Sequence, residues 1–168
     1  MDDKEGRDVA LVRDFLRAHP ADAHLRSQPE GHLTGSGFVL DATRTEVLLL
    51  HHGRLHRWLQ PGGHGEGETD PRQIALREIE EETGLTDLLP LGAGLFDVDV
   101  HGIPARPGEA AHLHLDLRFA FVAAASAEPR LSHESRELRW FPLEAPPPDA
   151  DPSLRRALRK LGAAAFAG

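Results

Sequence analysis

The stretch that most constrains the fold of this chain is Pro61–Leu85, PGGHGEGETDPRQIALREIEEETGL. It reads as a glycine-rich loop feeding a short acidic helix. Asp70 is placed to cap that helix by accepting from the backbone N–H of residue 72 or 73. Gln73 can reach back to Asp70, as in a capping box. Pro71 takes the first helical position, where its missing N–H is no loss. Gly84 supplies a left-handed stop. The predicted helix therefore runs from Pro71 to Thr83.

At about 100° per residue, Glu81 and Glu82 fall on either side of Glu78, so three acids share one face. Ala75, Leu76 and Ile79 form an apolar strip beside them, and Glu80 points away. Ile74 falls on the acid side, where the pattern gives no reason for it. Like charges at i, i+3 and i+4 weaken a helix by roughly 0.2–0.5 kcal/mol per pair. Such a face is either a solvated acidic surface or one wall of a cation site. Oxygen donors suit a hard ion, Mg²⁺ or Mn²⁺. The preceding glycines favour the site. Gly62 and Gly63 let the backbone approach a ligand closely. A loop carbonyl can then join the cation's oxygens, and loop N–H groups can face phosphate.

The same residues resemble the box of the Nudix hydrolase superfamily, Gly-x5-Glu-x7-Arg-Glu-U-x-Glu-Glu-x-Gly-U, where U is a bulky aliphatic residue. Gly63 matches the first glycine, and Arg77, Glu78, Ile79, Glu81, Glu82, Gly84 and Leu85 match the second half without a gap. The one departure is at the first Glu, where Thr69 stands and Glu68 comes one position early. The resemblance spans 63–85 and implies the fold class: α/β, a Nudix-type α/β/α sandwich around a mixed β-sheet, with 1–168 as one domain.

It also implies an activity, the metal-dependent hydrolysis of a phosphoanhydride bond in a nucleoside diphosphate linked to another moiety. The Gly62 carbonyl with Glu78, Glu81 and Glu82 would hold Mg²⁺ or Mn²⁺. Glu78, Arg77, Glu81 and Glu134 form the expected catalytic set. Arg77 orients the glutamates, and the base is Glu78 or a loop carboxylate, Glu134 before Glu137. Two alternatives belong to other classes. A catalytically silent nucleotide-sensing domain would usually lack box acids that this helix keeps. An isopentenyl-diphosphate isomerase-like enzyme needs a cysteine, and the chain has none.

Composition bounds the rest. A chain of 168 residues suits one domain with a proper core. A net charge of −8 argues against general nucleic-acid binding. It leaves room for an anionic small molecule beside a divalent ion. No apolar run reaches the ~18 residues of a membrane span, and MDDKEGRD lacks a signal peptide's apolar segment. The expectation is a cytoplasmic protein acting on a nucleotide or other diphosphate. A homodimer is common among the relatives that the resemblance points to.

Along the chain, 8–18 has helical periodicity and ends before His19-Pro20. Segments 32–40 and 46–51 read as strands joined by a turn. The basic loop His51–Arg57 offers Arg57 as a phosphate or base contact. Trp58 belongs to the core or the site wall, and His64 touches substrate phosphate or caps its loop. Residues 96–100 alternate as a strand, and 101–110 reads as a loop with two prolines. His112–Val122 alternates strictly at first, with His112, His114, Asp116 and Arg118 on one side and Leu113, Leu115, Leu117 and Phe119 on the other. That polar row is either solvated or lines the substrate cleft opposite the box helix, and the second is the expectation adopted. As a metal site alone, His-x-His suits a softer ion such as Zn²⁺ or Mn²⁺. A strand is expected near 138–141, and 153–166 reads as a closing helix with Leu154, Ala157, Leu158 and Leu161 inward. Relatives vary in substrate, including ADP-ribose, nucleotide sugars, nucleoside triphosphates, dinucleoside polyphosphates and capped RNA. The sequence leaves that choice to the loops 51–57 and 101–110.

Overall fold

The computed structural model describes residues 2–132 and 135–165. Two long strands run parallel at its centre, β1 (Gly31–Leu40) and β7 (His112–Ala123), in register from Gly31↔Leu113 to Leu40↔Val122. All other pairings in the sheet are antiparallel. Each central strand changes partner along its length. At one end β1 pairs with β4 (Gly62–His64) and β7 with β6 (Asp97–Ile103). At the other end β1 pairs with β2 (Glu46–His52) and β7 with β5 (Leu88–Pro90). β2 also carries β3 (Trp58–Leu59) and β8 (Ser135–Pro142).

Strand alternation sends odd and even residues of β1 and β7 to opposite faces. The odd face meets α2 (Pro71–Thr83), with Val39, Phe119 and Phe121 packing on Ala75 and Ile79. The even face meets α3 (Pro152–Ala165), with Phe38, Leu40, Ala120 and Val122 on Leu154, Ala157, Leu158 and Leu161. A third cluster, Val12, Leu33, Val98 and Leu115, seats α1 (Asp3–Ala18) beside β6. This is the α/β/α sandwich around a mixed sheet. Among the described residues no helix is long and apolar enough to cross a membrane.

Several boundaries differ from the sequence reading. α1 begins at Asp3 because Asp2 caps it, accepting from the Glu5 N–H at 2.8 Å. β6 continues to Ile103, into the expected loop, because Ile103 still pairs with His112 at the start of β7. β8 is twice the expected length because it follows β2 from Glu46↔Pro142 to His52↔Ser135. Ile74 is fully buried, and a Cβ on Gly35 would lie 2.8 Å from its own Cβ. A glycine on β1 thus opens the space that lets the helix sit close with an apolar residue beside its acids.

Candidate active site on the box helix

α2 forms as its sequence signals require. Asp70 accepts from the Arg72 N–H at 2.9 Å, and Gly84 ends the helix at φ 71° with its N–H on the Glu80 carbonyl at 2.8 Å. The reciprocal bond of the capping box is made differently. Glu68, rather than Gln73, accepts from the backbone N–H of Asp70 at 2.8 Å and of Thr69 at 2.6 Å. The acid displaced by one position in the box therefore ties the loop to the helix start.

Antiparallel pairing of β4 with β1 sets Gly63 opposite Gly35, on the α2 side of the sheet. A Cβ on Gly63 would stand 2.6 Å from the Glu78 carboxyl carbon. Glu78 is thereby held against bare backbone, with its side chain only 13% exposed. Burial pushes its pKa up to about 7, against the pull of Arg77. Arg77 lies 2.8 Å from Glu78 and 3.1 Å from Glu81, and it also donates to the His64 carbonyl. Glu82 accepts from the Gly62 N–H at 3.0 Å, which ties the far end of the helix to β4. Glu81 is more than half exposed.

These residues fit a hard divalent cation. Glu78 lies largely covered against Gly63, where β4 has no side chain, beside the Arg77 guanidinium, and Glu82 reaches the Gly62 N–H, so the helix offers carboxylate oxygens along β4. Oxygen donors of this kind select Mg²⁺ or Mn²⁺ over softer ions. Glu134 lies outside the described residues.

The other expected site residues lie elsewhere. Gly35 and Gly37 face α2. The even residues of β1 and the row His112, His114, Asp116 and Arg118 are therefore on the opposite side of the sheet from the box helix. This corrects the expectation that the row faces the helix across a cleft. The period of two holds along the strand, but which side α2 covers is decided by Gly35, Gly37 and Gly63. Asp116 is buried, accepting from Thr34 at 3.1 Å, Ser36 at 2.8 Å and Arg118 at 2.8 Å. Arg118 is buried among Asp116, Asp99 at 3.2 Å and Asp97 at 3.4 Å, and donates to Ser153 at 2.8 Å. It offers nothing to an external phosphate. Arg57 is half exposed, 3.7 Å from Asp151. Trp58 is core, edge-on to Phe141.

Sequence reasoning missed one gathering of side chains on this even face. His32 lies in register with His114, and His101 with His114, while Thr34 pairs with His64. Their rings are close: His32 to His64 4.9 Å, His32 to His114 4.9 Å, and His64 to His114 5.0 Å between centroids. Burial lowers the pKa of His64 and takes those of His32 and His114 to about 4 and about 2, so all three rings are neutral at pH 7. The signal available was the third histidine, His32, two residues before Thr34 on the first strand. The strand was recognised but its pairing was not.

The 31–161 region matches the family model described as the NUDIX domain, and the chain belongs to that family. Solved structures agree in fold. An Ap4A hydrolase of C. elegans, as a binary complex, is 23% identical with a TM-score of 0.61, covering 78% of this chain and 95% of that one. A MutT NUDIX hydrolase from Burkholderia pseudomallei is 26% identical with a TM-score of 0.57, covering 78% and 98%. A NUDIX-family hydrolase from Clostridium perfringens is 24% identical with a TM-score of 0.57, covering 79% and 97%.

Proposed function

We propose that the chain is a metal-dependent Nudix pyrophosphohydrolase, cleaving a phosphoanhydride bond in a nucleoside diphosphate linked to another moiety. Glu78 carries this assignment: a largely covered carboxylate held against Gly63, with Glu81 and Glu82 on the same helix face. Glu78, Glu81, Glu82 and the Gly62 carbonyl would hold Mg²⁺ or Mn²⁺. Held there, the ion would supply positive charge against the pyrophosphate oxygens and make a nearby water easier to deprotonate.

The chain's own groups do the rest. Glu78, held against Gly63 by the close approach of β4, is the candidate to accept a proton from the attacking water. Arg77 spans Glu78 and Glu81 and fixes their carboxylates. The Gly62 N–H holds Glu82 in place. Glu134, in the segment after β7, is the second candidate base. The hydrolases among the structures of the same fold support the reaction class. Arg57 and the loop before β7 are the candidates for choosing the nucleotide.

The test is product analysis over dinucleoside polyphosphates, ADP-ribose, nucleotide sugars and nucleoside triphosphates with Mg²⁺ or Mn²⁺. Turnover is expected with one class and is lost in Glu82→Gln while the fold survives. Undiminished turnover by that variant overturns the role of Glu82. Tight nucleotide binding without turnover by the unaltered protein selects a sensing domain instead.

A further inference from the structure

The histidine row on the even face has no part in the reaction just proposed, and its geometry is that of a ligand set. His64 Nε2 and His114 Nε2 stand 3.3 Å apart. Two nitrogens each about 2.0–2.1 Å from a tetrahedral Zn²⁺ are separated by roughly 3.3–3.4 Å. One ring nitrogen from each of His32, His64 and His114 lies within 4.8 Å of the others. His64 and His114 already stand at the separation such an ion needs, and His32 is the third nitrogen beside them. The strands preorganise them, since β4, β1 and β7 are hydrogen-bonded neighbours.

A second observation points to a ligand. His32 is 1% exposed, yet neither of its ring nitrogens has a hydrogen-bond partner among the described residues. Leaving a polar group buried and unpaired costs about 1–3 kcal/mol. A hydrogen bond between His64 and His114 would satisfy those two rings and leave His32 unexplained. The Nε2 of His112, whose ring stacks on His32 at 5.0 Å, is another buried nitrogen without a hydrogen bond among the described residues, its nearest carboxylate Glu109 at 3.9 Å. Its Nδ1 is held by the Ala110 carbonyl at 2.9 Å.

We propose that His32, His64 and His114 form a three-nitrogen site for a borderline transition cation such as Zn²⁺, on the sheet face turned away from the box helix. Three imidazoles select such an ion over Mg²⁺, which prefers oxygen. The two sites share one strand: β4 turns Gly63 toward Glu78 and His64 toward His32 and His114. The site stands independently of the pyrophosphohydrolase assignment, because none of its ligands is a box carboxylate.

The experiment is a Zn²⁺ titration of the tag-free, chelator-stripped protein in excess Mg²⁺, read by competition with a chromophoric chelator. One equivalent is expected to bind. Affinity should fall at least tenfold in His32→Phe, His64→Phe and His114→Phe and stay unchanged in Glu81→Gln. Absence of competition by the unaltered protein overturns the proposal. So does equal binding by the histidine variants, or loss confined to Glu81→Gln. If a histidine variant fails to fold, Co²⁺ loaded into the unaltered protein decides. Intense visible absorption of a nitrogen-rich, four-coordinate ion supports the site, and the weak spectrum of six oxygens overturns it.

Discussion

Gly63 stands where any side chain would strike Glu78: its Cβ would be 2.6 Å from the carboxyl carbon and from one carboxylate oxygen. A methyl group there cannot displace β4, which is paired on β1, so the flexible carboxylate must swing away. Gly63→Ala is therefore expected to cost activity more than stability. Moving a reacting group by about 1 Å can cost roughly 10²-fold in rate. Steady-state kinetics should show a fall of that order, with a denaturation midpoint close to that of the unaltered protein. Equal turnover would mean that Glu78 need not sit against bare backbone.

Glu78 also gives a pH signature in the metal-free protein. Its folded pKa of about 7 lies above the ordinary 4.5, so the folded state holds a proton that the unfolded state has lost between those values. Stability from this group is full below pH 4.5 and is lost as pH rises to 7. Glu78→Gln removes the penalty and should be more stable than the unaltered protein at pH 7.5 in chelator, by roughly 2–3 kcal/mol. The two should converge near pH 4.5. Chemical denaturation at both pH values checks it, and a constant difference would contradict it.

The histidine row has the opposite sign. With folded pKa values below 6.5, His32 and His114 stay neutral when the unfolded chain takes up protons. Their contribution is full above pH 6.5 and falls as pH drops toward 4. Metal-free His32→Phe should lose less thermal stability than the unaltered protein between pH 7 and 5. An identical slope in melting temperature would show that His32 titrates normally.

Arg118 holds three buried aspartates, Asp97, Asp99 and Asp116. Removing one partner of a buried ion network typically costs about 3–5 kcal/mol, because the remaining charges stay buried. Arg118→Met should lose stability of that order in urea unfolding. A loss under about 1 kcal/mol would show that water or Arg156 takes over.

The sequence disclosed the helix and its caps because those signals are local. Asp70, Pro71 and Gly84 each act within a turn of their own position. The strand from His112 was equally legible, because its leucines alternate with polar residues. What could not be read was which face of that strand α2 covers. That depends on the pairing of β4 with β1, from Thr34↔His64 to Ser36↔Gly62, and on glycines whose partners are distant in the chain. For the same reason Arg118 looked like a phosphate ligand when its partners, Asp97 and Asp99, come from a neighbouring strand and Ser153 from α3. The histidines of β1, β4 and β7 were visible singly, but only the register assembles them.

The alternation of Gly63 and His64 along β4 ties the spacing of this strand to both sides of the sheet at once. A slip of a single residue would thrust an imidazole at Glu78 and leave a gap beside His32. Length changes before Pro61 would therefore be far more damaging than equal changes in the exposed hairpin between β6 and β7, where Arg106 and Glu109 close a turn of their own.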